Sequence, residues 1–318
     1  MTVIVIATTY DLHADAVVDH ILKSDFVYRI SPEENPELIS FEFGNNFFSL
    51  QENKVDFDSI SGIYCRHAIE LGVQSEIDDP VVRFGINEWI STVSGIMLNI
   101  SPLKWINYPW YESIAEGKIY PLNIASRFGI SVPKFIVSNS IKEMDIFLDS
   151  QPDSSFVIKS ISQTQIALQN NQFVRTPDHS QFYAPYTKKF ERNLCLDEMI
   201  DDTPFLIQRE IIKKSEVRCI VIDKLVMATE CEVDNLLSVD VRLKPDRIEK
   251  PITLPLDLNE KIISFVNFLN LRFSTLDFSI DEENNYWLTD INPAGNWLWQ
   301  ELQLEMGIPD RIAEALIR

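Results

Sequence analysis

The sequence predicts a mixed α/β protein, and three observations support this class. The chain has 318 residues, which is enough for about two compact domains. In its first third, β-branched apolar runs alternate with helical patterns, as in an α/β domain. The later part is richer in strands, which predicts α+β lobes. Apolar residues make up 45% of the chain and charged residues 24%, so disordered and fibrous classes are excluded.

The first third of the chain predicts a small domain that ends near residues 102–107. The β-branched run TVIVIA at 2–7 is typical of a first strand. The other elements follow from apolar periodicity: a helix over 14–22, strands over 26–30, 38–43, 47–51 and 61–65, and a longer helix over 81–98.

A second pattern begins at Trp110. A helix must start or kink at Pro121, because proline lacks the N–H that a helix interior needs. Gly129 is predicted to end that helix. The patterns beyond it predict strands over 134–137 and 156–159, a helix over 141–148, a hairpin over 166–174, strands over 205–211, 217–222 and 225–230, a helix over 258–269, strands over 275–280 and 286–291, and a terminal helix.

Charge and motif content exclude several classes. The formal net charge is −20, so the surface field repels nucleic acid and anionic membranes. No two of the nine glycines lie closer than ten residues, which excludes the dinucleotide-binding and P-loop glycine motifs. The four cysteines include no CxxC pair, so buried reduced thiols are expected. No signal peptide or membrane-spanning stretch is evident, and we expect a cytoplasmic protein.

The strongest chemical signal is LDFSIDEENNYWLTDINPAGNW at residues 276–297. Asp290 and Asn292 lie two residues apart on a predicted strand and share a face, and an antiparallel neighbour can bring Asp277 alongside. Two carboxylates and an amide oxygen are hard ligands, of the kind that Mg²⁺ takes together with substrate phosphates. The alternative is a solvated acidic edge. Apolar residues precede both aspartates and a rigid Asn-Pro-x-Gly turn follows, which favours the metal site.

This segment resembles the metal-binding signature of the ATP-grasp ligases, in which LDF and an acidic turn precede (D/E)-x-N-P-x-G. The extension INPAGNWLWQE looks most like the graspetide or microviridin-type ligases, which cross-link ribosomally made peptides. The resemblance covers the whole chain. It implies an ATP-grasp fold with a Rossmann-like pre-ATP-grasp domain over 1–107, a central domain over 108–204 and a C-terminal lobe over 205–318.

The resemblance also implies ligands and partners. ATP and Mg²⁺ would be the cofactors, and the partner would be a ribosomal precursor peptide with a leader and a core. The leader would dock near residues 166–200, and the protein would be a homodimer. Residues 160–172 contain no glycine, whereas the phosphate-covering loop of the family often does, so the covering of the triphosphate is left open.

Three basic residues match the family positions that neutralise phosphate. Lys159 ends the predicted strand FVIKS, and Lys118 begins KIYPLNIASRFGISVP. Arg218 would stabilise the transferred phosphoryl group or the acyl phosphate, a role that suits its planar donor fork. The alternatives are solvated lysines and an ion pair between Arg218 and Glu216 on one hairpin face.

The nucleotide residues follow the same resemblance. Gln208, Glu210 and Ile211 lie where the interlobe hinge of the family holds adenine, and Glu216 is placed to take the ribose hydroxyls. Arg66 stands at a YCRH strand end, where the peptide-ligase subgroup usually has a Trp-Tyr-Arg-Arg-like one. It would hold the substrate carboxylate or form a structural ion pair between domains.

The implied function is an ATP-dependent ligase that phosphorylates an Asp or Glu side chain of the precursor peptide and then closes an ester or amide ring. A first alternative is an ATP-grasp ligase that joins amino acids to a small molecule or a protein terminus. A second alternative is a nucleotide-binding scaffold without catalysis. The intact set Asp277, Asp290, Asn292 and Arg218 argues against the scaffold.

Overall fold

The computed structural model describes residues 1–21, 26–31, 39–66, 79–159, 161, 168–169, 172–173, 188–189, 204–233 and 248–317. The turn of the hairpin predicted over 166–174, at residues 170–171, and most of the predicted leader-docking segment therefore lie outside the described residues. None of the helices within these ranges is both long and apolar enough to cross a membrane.

The N-terminal part is built on a parallel sheet of four strands in the order β2-β1-β6-β7. A second, antiparallel sheet contains β3, β4 and β5. The elements are β1 (Thr2–Ile6), α1 (Leu12–Ile21), β2 (Phe26–Ile30), β3 (Ile39–Phe41), β4 (Phe47–Leu50), β5 (Asn53–Asp56), β6 (Ile60–Cys65), α2 (Pro80–Met97) and β7 (Trp105–Ile106). The short strand β5 was not predicted, because the residues NKVD are mostly polar and carry no apolar run.

Both faces of the parallel sheet are covered, which explains the unbroken apolar run of β1. Val3 and Val5 pack with Val17 of α1, whereas Ile4 and Ile6 pack with Val93 of α2. Successive strand residues point to opposite faces, so the two helices lie on opposite sides of the sheet. The finer Rossmann-like assignment of this domain stays a prediction.

The middle of the chain forms an antiparallel sheet in the order β12-β9-β13-β8. Pro121 lies in the first turn of the second of two separate helices, and Gly129 follows that helix with a φ of +73°. The strands β10 and β11 pair antiparallel, as the predicted hairpin requires. The elements are α3 (Pro109–Glu116), α4 (Ile119–Arg127), β8 (Phe135–Ser138), α5 (Ile141–Asp149), β9 (Phe156–Lys159), β10 (Leu168–Gln169), β11 (Gln172–Phe173), β12 (Lys188–Lys189) and β13 (Phe205–Arg209).

The last part forms a five-stranded antiparallel sheet in the order β16-β15-β14-β17-β18. Its elements are β14 (Lys213–Ile222), β15 (Leu225–Glu232), β16 (Glu249–Ile252), α6 (Leu256–Phe268), β17 (Phe273–Asp281), β18 (Tyr286–Asn292), α7 (Leu298–Leu304) and α8 (Ile308–Ile317). The single terminal helix that the pattern predicts is in fact two helices, because Glu305 and Gly307 both adopt positive φ.

Helix α8 returns to the N-terminal sheet. Its residues Ile308, Ile312 and Leu316 share one apolar core with Val3 and Val5 of β1. A Cβ atom on Gly62 of β6 would lie 2.4 Å from the carbonyl oxygen of Leu316, so the helix backbone lies directly on the strand. The first and last parts of the chain therefore share a core. The boundaries 1–107, 108–204 and 205–318 stay predictions.

Candidate active site

A cavity lies between the middle sheet and the five-stranded sheet, and nine of the eleven predicted site residues line it. The exceptions are Lys118 and Arg66. Strands β9, β13, β14, β17 and β18 and the segment after β13 contribute the predicted residues Lys159, Gln208, Glu210, Ile211, Glu216, Arg218, Asp277, Asp290 and Asn292.

The predicted metal ligands meet on the β17–β18 hairpin. Asp277 is directly opposite Asp290 in the strand register, and Thr275 is opposite Asn292. The Oδ1 atom of Asn292 accepts the N–H of Ala294 at 2.9 Å, which fixes the orientation of the amide. All three side chains line the same cavity. Within the described ranges no group of three or more His, Cys, Asp or Glu side chains could hold a metal, so this donor set depends on an amide and on oxygens from the ligand. It fits Mg²⁺, which is commonly bound by one or two carboxylates plus substrate phosphates.

Arg218 lines the cavity and links Asp277 of this hairpin to Asn296. Its Nε and Nη2 atoms donate to the two carboxylate oxygens of Asp277 at 2.7 and 2.8 Å, and its Nη1 atom donates to the carbonyl oxygen of Asn296 at 3.2 Å. Burial lowers the pKa of Arg218, but the charge and hydrogen bonds of Asp277 outweigh burial and raise the pKa above its usual value. Glu216, the alternative ion-pair partner of Arg218, forms an ion pair with Lys213. A planar fork is thus held rigidly at the cavity wall.

Three lysines supply positive charge near this point. Lys159 lines the cavity, and its Nζ donates to the carbonyl oxygen of Thr289 at 3.0 Å. Burial lowers the pKa of Lys159 to about 8; the carboxylate of Asp290 opposes this, and the charges of Lys118 and Lys213 add to it. Lys118 occupies the N-cap position of α4 without a side-chain capping hydrogen bond, and its charge acts on Lys159.

The lowered pKa of Lys159 predicts proton uptake on binding of the nucleotide that the sequence resemblance implies. Below about pH 8 the amine is already charged, whereas above that pH it is largely neutral, and added phosphates favour the charged form. At pH 8.5 we expect ADP binding to take up a proton and to be weaker than at pH 6.5. Calorimetry in two buffers of different ionisation enthalpy measures this uptake. A Lys159→Arg variant should take up none, because arginine stays charged; equal uptake in both proteins would refute the assignment.

The segment after β13 is held by the middle sheet. The N–H of Arg209 donates to the carbonyl oxygen of Lys134, and the N–H of Glu210 donates to that of Ser155, both at 2.8 Å. Gln208 is buried, and its Nε2 donates to the carbonyl oxygen of Pro133 at 3.4 Å. Hydrogen bonds to the middle part of the chain therefore fix the backbone of this segment.

Sequence reasoning missed several polar residues that line the cavity, among them Lys213, Glu249 and Asn296. Glu249 is 7% exposed and accepts a hydrogen bond from the Thr229 hydroxyl at 2.6 Å. No sequence signal singles out Glu249, because it becomes part of the cavity only through the pairing of β16 with β15. Asn296 could have been found, since it follows the Asn-Pro-x-Gly turn directly.

Gly295 permits the close approach of the turn to β17. A Cβ atom at this position would lie 2.0 Å from Oγ1 and 2.6 Å from Cγ2 of Thr275. We expect Gly295→Ala to lower the free energy of unfolding by about 1–3 kcal/mol, as overpacking does, and to displace Asn292. Chemical denaturation measures the effect. Gly85→Ala is the control, because its Cβ would meet nothing within 4 Å; equal stability changes in the two variants would contradict this account.

Arg66 lies outside the cavity wall. It is 2% exposed, and its Nε donates to the Asp11 carboxylate at 3.2 Å. The structure therefore places Arg66 in a buried ion pair, but with a partner inside the predicted domain 1–107 and not across a domain boundary.

Comparison with known structures identifies the fold. No protein-family model and no curated protein matches the sequence. The macrocyclase MdnC bound with the precursor peptide MdnA, from Microcystis aeruginosa, is 18% identical, with a TM-score of 0.79 over 100% of this chain and 99% of that chain. A RiPP-associated ATP-grasp ligase of Chryseobacterium gregarium, in complex with ADP and a leader and core peptide, is 22% identical, with a TM-score of 0.78 over 99% of this chain and 96% of that chain. The ATP-grasp ligase PsnB, complexed with a variant of its minimal precursor, Mg and ADP, is 16% identical, with a TM-score of 0.76 over 99% of this chain and 97% of that chain.

These similarities extend over the full length of the chain. The protein therefore has the ATP-grasp fold, and the fold predicted from residues 276–297 is confirmed.

Proposed function

We propose that this protein is an ATP-dependent ligase that cross-links a ribosomally made precursor peptide. The observation that carries the proposal is the convergence of Arg218, Asp277, Asp290 and Asn292 in one cavity beside the hinge at 209–211. Two similar structures, those of MdnC and of the Chryseobacterium gregarium ligase, contain a precursor peptide or its leader and core. Both resemble this chain over its full length, which supports a peptide substrate here.

The proposed reaction has two steps. A carboxylate oxygen of an Asp or Glu side chain attacks the γ-phosphorus of ATP, and ADP leaves. A hydroxyl or amine of the same peptide then attacks the acyl phosphate carbon, so that phosphate leaves and one proton is lost. The ring is an ester or an amide.

The residues of the cavity would bind and orient the reactants. Gln208, Glu210 and Ile211 would hold adenine, and Glu216 would take the ribose hydroxyls. Lys159 and Lys118 would offset the phosphate charge, and Arg218 would stabilise the transferred group. This mechanism needs no side-chain nucleophile.

Asp277, Asp290 and Asn292 would hold Mg²⁺. When bound, the ion would neutralise charge on the phosphates. The similar structure of PsnB contains Mg and ADP, which supports this assignment.

We further propose a cytoplasmic homodimer that does not bind nucleic acid or membranes. The exposed apolar residues Val81, Val82 and Phe84 at the start of α2 support a dimer contact. Among the described residues, Cys65, Cys219 and Cys231 are buried and form no disulfide, as expected in a reducing compartment. The charge of −20 argues against anionic partners.

The second candidate is a ligase that joins free amino acids to a small molecule or a protein terminus, since its nucleotide residues would be the same. A phosphate-release assay separates the candidates. We expect release with a short peptide encoded beside this gene and rich in Thr, Asp and Glu, and none with free amino acids. Release with free amino acids alone would favour the second candidate. No ATP turnover with any substrate would favour a scaffold.

A further inference from the structure

The loop at 293–296, which follows the proposed metal ligands, is hydrogen-bonded to residues at the ends of strands in the N-terminal sheet. The guanidinium of Arg66 donates from Nη1 to the carbonyl oxygen of Ala294 and from Nη2 to the Oδ1 atom of Asn296, both at 3.2 Å. Its Nε donates to Asp11. One buried side chain therefore ties the loop at 293–296 to the domain that carries Asp11.

Asn107 makes a second attachment. Its Nδ2 donates to the carbonyl oxygens of Phe273 at 2.8 Å and Pro293 at 2.9 Å. Its Oδ1 accepts the N–H groups of Arg272 at 2.8 Å and Phe273 at 3.0 Å. The side chain is 2% exposed, and all four hydrogen bonds lead to the loop, to Phe273 at the start of β17 or to Arg272 directly before it. A buried amide satisfied in this way fixes the groups around it.

Both residues stand at equivalent places in the sheet. Arg66 directly follows β6 and Asn107 directly follows β7, and these strands are parallel neighbours. Asp11 lies in the segment after β1, the other neighbour of β6. In open α/β sheets, ligands bind outside the carboxyl ends of the strands. Here this edge binds the chain's own loop.

The attachment continues into the cavity. Asn296 accepts from Arg66 through its side chain and from Arg218 through its carbonyl oxygen. Arg218 in turn holds both carboxylate oxygens of Asp277. A continuous series of hydrogen bonds thus joins Asp11 to Asp277.

We infer that Arg66 and Asn107 are positioning residues: from the carboxyl ends of β6 and β7, they fix the 293–296 loop so that Asn292 and Asp277 present their oxygens to the metal of the bound nucleotide. The inference rests on the proposed function, because it requires a nucleotide–metal complex in the cavity. It assigns Arg66 no contact with substrate. Residues that orient metal ligands typically change metal affinity 10–100-fold when they are replaced.

Calorimetry with ADP, with and without Mg²⁺, tests the inference. Arg66→Lys keeps a charge beside Asp11 but loses the fork that reaches Ala294 and Asn296. Asn107→Asp keeps the accepted bonds and loses the donated ones. We expect both variants to bind Mg²⁺ to the ADP complex about 10-fold more weakly and to bind ADP without Mg²⁺ as the wild type does. Thermal unfolding shows which variants are folded, and either one alone carries the test.

Arg272→Lys is the matched control. Arg272 also bridges distant parts of the chain, its side chain donating to Asp223 and to the carbonyl oxygens of Leu103 and Ala315. That side chain does not reach the loop, and the substitution keeps the backbone N–H that donates to Asn107. Its Mg²⁺ affinity should equal that of the wild type. Wild-type Mg²⁺ affinity in Arg66→Lys, or an equal loss in all three variants, would overturn the inference and leave the proposed function standing. A wild-type protein that binds no ADP would overturn both.

Discussion

Arg218→Lys is expected to lower kcat at least about 100-fold, which corresponds to about 2.7 kcal/mol of transition-state stabilisation. Lysine keeps the positive charge but cannot donate to both oxygens of Asp277 and to the carbonyl oxygen of Asn296 at once. The proposed metal ligand and the loop would both lose a fixed partner. Steady-state phosphate release with the peptide substrate measures the effect.

The chain offers a matched control for this variant. Arg272 holds Asp223 with the same two-bond geometry, at 2.8 and 2.9 Å, outside the cavity. Arg272→Lys should therefore lose a comparable ion pair and keep kcat within about twofold, as expected for a residue outside the reacting centre. Similar losses of kcat in the two variants would show that Arg218 acts through stability alone.

Asp290→Asn is the second change with a large expected effect. The amide keeps the size of the side chain but loses the charge that a divalent cation requires, so kcat should fall at least about 100-fold. The carboxylate of Asp290 also supports the charge on Lys159. Without it, the pKa of Lys159 should fall further, and ATP should bind more weakly at neutral pH. Kinetics across a series of Mg²⁺ and ATP concentrations measure both effects.

Glu283→Gln removes the same charge from the exposed turn of the same hairpin. It should leave kcat and the Mg²⁺ requirement unchanged, because the turn lies outside the cavity lining. An Asp290→Asn variant with wild-type kcat would remove Asp290 from the metal site.

Apolar runs and turn residues in the sequence predicted several individual strands of the fold. The strand Phe156–Lys159 and the hairpin of β17 and β18 follow apolar runs and a polar turn, and the structure has them where they were expected. The ATP-grasp fold came from a resemblance over the whole chain whose strongest motif is residues 276–297, and the structural similarities confirm the fold. Two helices replace the expected terminal helix because two residues adopt positive φ, which periodicity does not reveal.

The site residues that could not be predicted take their places through contacts between distant parts of the chain. Glu249 enters the cavity through the pairing of β16 with β15, and Lys213 does so through the pairing of β14 with β17. Asn107 had no signal either, since its four hydrogen bonds reach residues at least 165 positions away in the chain. The roles of the eleven predicted site residues stay predictions until variants are measured.

The most direct test of the central claim is intact mass spectrometry of any short peptide encoded beside this gene, after incubation with the protein, ATP and Mg²⁺. Each ester or amide ring forms with the loss of one water, so we predict a mass lower by that amount for every cross-link. The Asp290→Asn variant should leave the mass unchanged. An unmodified peptide, together with phosphate release that depends on free amino acids, would contradict the account.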